Sequence, residues 1–230
     1  MKEFGVEAGS KGLDSPIVRE MVEEDSFEGE TEVLDAEEAR RYRGVAATLN
    51  YLALDRPDVQ YAAKEICRTM SRPHRSGWLR MKRLARYLAA NPRLVWRFDG
   101  DQVRSKYLDV YSDSDWAGDR RSRKSTSGGV VVIDGGAIKH WSSTQGSIAL
   151  SVGEAEYYAL VKAAAEGLGV QSLARDLGIE LTLRIWVDNT TAHAIASRIG
   201  LGKVRHMEVK YLWAQEAHQA GRFCIRKGAW

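Results

Sequence analysis

Between residues 39 and 90 the apolar positions recur at spacings of three and four. Tyr42, Val45, Leu49 and Leu52 form one stripe, closed by Arg56-Pro57. Val59, Ala63, Ile66 and Met70 form a second, with Asp58 as its expected N-cap and Pro73 beyond its end. Trp78, Met81, Leu84, Ala85 and Leu88 form a third, expected to be capped by Ser76 and stopped at Asn91-Pro92. Three helices are predicted, each with one apolar face to bury. The other face of the third carries Arg80, Lys82, Arg83 and Arg86.

From residue 94 the rhythm shortens. LVWRF (94–98), YLDVYSD (107–113), GVVVI (129–133), AIKHWSS (137–143), LRIWVD (183–188) and RFCIRK (222–227) read as strands. Asp99-Gly100-Asp101 signals a turn, and Asp134-Gly135-Gly136 a hairpin. Ser151 opens a long helix over about 152–176, ended by Gly178; shorter helices are expected at 190–198 and 206–219. Strands, a hairpin and interspersed helices predict an α/β fold with a mixed sheet and flanking helices, preceded by a small helical segment.

Charge divides the chain in the same places. Residues 1–40 hold 13 acids and 4 bases, residues 41–107 hold 15 bases and 5 acids, and the remainder is close to neutral. The expected organisation is an acidic, mostly disordered tail (1–38), a helical segment (39–93) and a sheet-bearing domain (94–230). The basic segment suggests a polyanion, since Lys and Arg that neutralise phosphates release counterions. No apolar run approaches the roughly 20 residues that span a membrane, and the N-terminus lacks an apolar signal-type core. An intracellular protein, cytoplasmic or nuclear, is expected, with Cys67 and Cys224 as reduced thiols.

The chemistry lies in the carboxylates. Asp113 closes one apolar strand and Asp188 another, and ligand-binding groups gather at strand ends in α/β sheets. The long helix offers Glu154 and Glu156. Ser151-Val152-Gly153-Glu154 fits the capping box, in which Glu154 bonds back to the cap. Glu156 lies about 200° further round the helix. It lines up with Ala159, Leu160 and Ala163, the small-residue face that packs on a sheet. A carboxylate there needs a partner, because burying it alone is costly. With no Cys or His cluster, three carboxylates suit a hard cation such as Mg²⁺ or Mn²⁺.

The runs YSDSDWAGD (111–119), RKSTSGG (123–129), WSSTQGSIALSVGEAEYYAL (141–160) and WVDNTTA (186–192) resemble the ribonuclease H domain of copia-type retrotransposon Pol polyproteins. Upstream, YRGVAATLNYLALDRPDVQYAAKEICRTMSRP (42–73) and WLRMKRLARYL (78–88) are similar to the helical segment that ends their reverse transcriptase. The resemblance covers roughly residues 40–226. It implies a ribonuclease H-like sheet preceded by a reverse-transcriptase thumb or connection-like segment. It implies endonucleolytic hydrolysis of RNA in RNA–DNA hybrids, with Asp113, Glu156 and Asp188 as catalytic and metal-binding residues. Two Mg²⁺ ions would be held, Asp113 bridging them, and Mn²⁺ would substitute. Asp115 and Asp119 do not match family metal ligands and are read as turn-forming. Ser114 and Asn189 would contact nucleic acid, and Arg80, Arg83, Arg86, Arg123 and Lys124 its phosphates. His206 and His218 are expected in ordinary surface roles, and Trp141, Trp186 and Trp213 in the core.

Two departures from the family qualify this. No YxDD-type polymerase hairpin is present, so polymerase activity is not expected. Family members continue into a helix with a fourth acid, in a run like ADILTK, where this sequence reads RKGAW (226–230). A domain truncated at its C-terminus is therefore expected, with Glu208 or Glu216 as poor substitutes for the missing acid. Two other readings stay open: a catalytically decayed fragment that only binds nucleic acid, and a transposase- or integrase-type DNA nuclease on the same fold. Expected partners are an RNA–DNA hybrid or other nucleic acid, no membrane, and the rest of a retroelement polyprotein.

Overall fold

The computed structural model describes residues 4, 6, 11–18, 32–96, 98, 106–202 and 204–228. They fall into two compact units, residues 1–95 with 119–121, and 96–118 with 122–230. The expected turn at 99–101 lies outside the described residues, as does 19–31 of the expected acidic tail.

The first unit contains α1 (Ala36–Leu52), α2 (Pro57–Arg68) and α3 (Arg75–Ala90). Its core gathers the predicted stripes around Tyr42, which is fully buried. The Tyr42 hydroxyl donates to the Ile66 carbonyl at 2.8 Å and its ring meets Trp78 edge-on. Phe4 and Ile17, from within the expected tail, also pack on this core.

Two expected caps are corrected. Asp58 lies inside the first turn of α2, where its carboxylate takes the Arg56 guanidinium (2.9 and 2.7 Å) and the Tyr87 hydroxyl (2.9 Å). Pro57 starts the helix one residue earlier because a missing N–H costs nothing in the first turn. Ser76 likewise lies within α3, whose N-cap is His74.

The second unit is a five-stranded mixed sheet with helices, an α/β architecture. Its strands are β1 (Tyr107–Asp115), β2 (Thr126–Ile133), β3 (Gly136–Thr144), β4 (Thr182–Val187) and β5 (Cys224–Lys227). Their order is β3-β2-β1-β4-β5, antiparallel from β1 through β3 and parallel from β1 through β5. The β2–β3 turn places Asp134 (φ 50°) and Gly135 (φ 78°) in the left-handed region, as a two-residue hairpin requires. The helices are α4 (Val152–Asp176), α5 (Thr190–Ser197) and α6 (Trp213–Gln219).

Alternation along β1 buries Leu108, Val110 and Ser112, and along β4 Leu183, Ile185 and Val187. The parallel register sets Val110 against Ile185, so these residues form one apolar face. Helix α4 lies on it closely: a Cβ on Gly167 would sit 2.7 Å from Leu183 and 3.0 Å from Val110. On the other face, Asp109 takes a bidentate pair from Arg184 (2.7 and 2.6 Å) and the Trp186 indole N–H.

Two element expectations fail. Residues 94–96 and 98 form no strand, so LVWRF adds nothing to the sheet among the described residues. The helix expected over 206–219 is a 3-10 turn at Val209–Tyr211 followed by α6. Both segments have suitable composition; no neighbouring strand edge pairs with the first, and side chains around 206–211 bond to other elements instead of continuing a helix.

Candidate metal centre

The parallel register of β1 and β4 builds the centre. Tyr111 lies opposite Trp186, and two further residues along each strand are Asp113 and Asp188. Both acids therefore stand side by side just past the last β1–β4 pair: Asp188 follows the end of β4, whereas Asp113, expected to close its strand, is still paired with Gly128 of β2, because β1 runs on to Asp115. Glu156 comes from the first turns of α4, on the line of Ala159, Ala163 and Gly167 that faces the sheet. Carboxylate oxygens of Asp113, Glu156 and Asp188 all lie within 4.8 Å of one another. Asp113 and Asp188 are exposed, and Glu156 is buried.

Ser114 orients the buried member. Its backbone N–H (3.2 Å) and hydroxyl (2.9 Å) both donate to Glu156 Oε1. Ser114, expected to contact nucleic acid, holds a carboxylate here. Glu156 Oε2 is buried without a hydrogen-bond partner. Burial, opposed by the Ser114 hydroxyl and reinforced by the charges of Asp113 and Asp188, pushes the Glu156 carboxyl up to about 7. Desolvation also raises Asp113; the Ser114 backbone bond opposes this and Asp188 adds to it.

A buried carboxylate with an unpartnered oxygen, close to two further acids, is what a cation would satisfy. Three oxygen donors without Cys or His fit a hard divalent ion such as Mg²⁺. Among the described residues no fourth carboxylate joins the three. The Glu208 carboxylate instead accepts from Ser147 (2.7 Å) and pairs with Lys210 (2.8 Å), and Glu216 is exposed on α6.

The neighbouring acids have other work. Asp115 accepts from the Thr126 N–H across the β1–β2 pair, and Asp119 from Arg121 N–H at 3.1 Å within its turn. Asp115→Ala is expected to cost about 1–3 kcal/mol of stability through the lost backbone partner. Thermal unfolding would measure that, and calorimetric metal titration should give wild-type affinity. Glu154 starts α4 with Ser151, whose hydroxyl accepts from its N–H at 3.2 Å. Its carboxylate bonds not to the cap but to Leu150 N–H (3.0 Å), the Tyr158 hydroxyl and His206 Nε2 (2.8 Å). His206 thus ties the segment before α6 to α4, a role no local signal announced.

The nucleic-acid residues divide. Arg80 is corrected: it is 1% exposed, inside the helical packing. It falls three residues after Gly77 and four before Leu84, both buried, so it belongs to the inward stripe. Arg86 donates to the Lys11 carbonyl (3.1 and 2.8 Å), and Arg83 is half-buried. Asn189 caps α5, accepting from Thr191 N–H (2.8 Å) and Ala192 N–H (3.1 Å). Arg123 is exposed and Lys124 half-buried in the loop before β2. His218 accepts a structural place against Phe223, and Trp141 is buried over Gly129. No helix among the described residues is long and apolar enough to cross a membrane.

No protein-family model matches the chain. It is similar to the retrovirus-related Pol polyprotein from transposon RE1 of Arabidopsis thaliana, at 33% identity over 184 residues, 78% of this chain. The polyprotein from transposon RE2 of the same plant matches at 33% over 184 residues, again 78% of the chain. The chain spans 12% of the length of each. It is also 36% identical over 124 residues to secreted RxLR effector protein 161 of Plasmopara viticola, covering 54% of this chain and 86% of that protein.

Proposed function

We propose that this chain, which belongs to the retrovirus-related Pol polyproteins of copia-type transposons, is a ribonuclease H that hydrolyses RNA in RNA–DNA hybrids. The observation that carries the reading is the convergence of the Asp113, Glu156 and Asp188 carboxylates within 4.8 Å, the buried Glu156 keeping one oxygen without a hydrogen-bond partner. The central position of β1 and the parallel β1–β4 pair support a ribonuclease H-like fold for residues 94–230. The helical segment 39–93 is read as the end of a reverse transcriptase.

Asp113, Glu156 and Asp188 would hold two Mg²⁺ ions, which when bound supply an activated water and charge stabilisation at the scissile phosphate. The chain's own residues prepare that place. Ser114 fixes the Glu156 carboxylate through two hydrogen bonds to Oε1, which hold it against rotation. Burial of Glu156 excludes water from one side of the centre, where each charge interaction is stronger than in solution. Asp113 and Asp188 remain exposed and so accessible to a phosphodiester backbone. Arg123 and Lys124, in the loop before β2, are read as following phosphates.

The test is cleavage of an RNA strand, end-labelled, alone and paired with DNA. We expect cutting only in the hybrid, dependent on a divalent ion and faster with Mn²⁺ than with Mg²⁺, because three carboxylates hold two ions less tightly than four. Equal cutting of single-stranded RNA, or cutting unaffected by EDTA, would overturn the reading. Hybrid binding without cutting under either ion would assign the chain to a decayed, binding-only role.

A further inference from the structure

Trp116 follows Asp113 by three residues and is 47% exposed, yet its indole N–H donates to the Ala149 carbonyl at 3.1 Å. The ring is therefore held at one edge while much of its surface meets solvent. The residues flanking its anchor are apolar and exposed as well: Ile148 at 48% and Leu150 at 64%. The same segment runs directly into α4, which carries Glu156.

The turn that presents Trp116 is built tightly. Ala117 sits in the left-handed region (φ 52°), and its N–H donates to the Ser125 hydroxyl at 3.0 Å. A Cβ on Gly118 would lie 2.2 Å from the Asp115 carboxylate, itself bonded to Thr126. A non-glycine residue at positive φ costs free energy and persists only where its surroundings enforce it. The loop facing this turn carries Arg123 and Lys124, two residues and one residue before the Ser125 that binds it.

We propose that Trp116, flanked by Ile148 and Leu150, is a packing platform for the sugar face of a nucleic-acid duplex whose scissile phosphate lies at the three carboxylates. The wide, shallow minor groove of an A-like duplex presents sugar rings that a flat, rigid, solvent-facing indole fits. The neighbouring cations complement the phosphates on either side. Packing on sugars carries no base information, so binding through this platform is independent of sequence. This rests on the nuclease reading for the position of the scissile phosphate, and its test is separable from that reading.

Fluorescence anisotropy of a labelled RNA–DNA hybrid, with EDTA present so that nothing is cut, measures the platform alone. Covering half an indole, less the cost of ordering the interface, supports about a tenfold effect. We expect Trp116→Ala to weaken binding about tenfold and Trp116→Phe, which keeps a ring, to stay within about threefold. Leu150→Gln, at an exposed side chain that leaves the fold untouched, should weaken it about threefold. In metal-dependent cleavage, Trp116→Ala should raise KM and leave kcat near wild type. Wild-type affinity in both Trp116→Ala and Leu150→Gln, or no hybrid binding by the wild-type chain, would overturn the platform even if cleavage is observed. Binding that depends on Trp116 in a chain that never cuts would keep the platform and discard the nuclease.

Discussion

Asp113→Asn is expected to lower hybrid cleavage by about a thousandfold or more, equivalent to about 4 kcal/mol of lost transition-state stabilisation. The substitution keeps size and shape and removes one of three negative charges. Asp113 sits two residues past the last β1–β4 pair, beside Asp188, and no other carboxylate among the described residues reaches the cluster. Nothing therefore replaces it. Folding should not suffer. Like charges at this separation repel, and Asp113 is among the groups that raise Glu156. Initial rates with Mg²⁺ and with Mn²⁺, beside thermal unfolding of the same samples, separate lost chemistry from lost structure. Cleavage at the wild-type rate would remove these carboxylates from the mechanism.

Glu156→Gln should abolish cleavage too, and in addition change stability in a direction opposite to most buried substitutions. The Glu156 carboxyl is raised from 4.5 to about 7. Between those values the folded chain keeps a proton that the unfolded chain has released. Stability therefore falls as pH rises from about 4.5 to about 7, and the loss is complete above that window. A shift of this size corresponds to roughly 3 kcal/mol. Gln stays neutral and suffers no such loss. Without metal, the variant should be more stable than wild type at pH 8 by up to that amount, and nearly equal at pH 4. Adding Mg²⁺ should stabilise the wild type at pH 8 and leave the variant unmoved, since bound cation favours the ionised carboxylate. A wild-type chain equally stable at pH 5 and pH 8 in EDTA would refute the strained carboxylate.

The Glu154–Glu156 distinction was readable locally, because a capping box and a helical face are both short-range patterns. Ser151 and Glu154 do start α4, and Glu156 does lie on its sheet-facing line. The partner of Glu154 was not readable. His206 is 52 residues away, and no periodicity couples it to the helix cap. Arg80 shows the opposite failure. Its position fits the inward stripe by spacing, but its charge argues for the solvated face, and packing outweighed charge. LVWRF had strand composition, yet a strand also needs an edge to pair with, which composition does not provide.

By itself the sequence determined the three helices of the first unit and the long helix α4, where the β2–β3 hairpin turns, and which acids follow the apolar runs of β1 and β4. These follow from interactions within a few residues: caps, stripes and turn conformations. Only the tertiary structure decided that Asp113 and Asp188, 75 positions apart, emerge side by side, because that depends on the register of β1 against β4. It also decided that Glu156 loses its water and gains two charged neighbours, since α4 packs closely enough on the sheet to bury it. The residue types come from local chemistry; their meeting, and the charge they carry there, come from how distant elements pack.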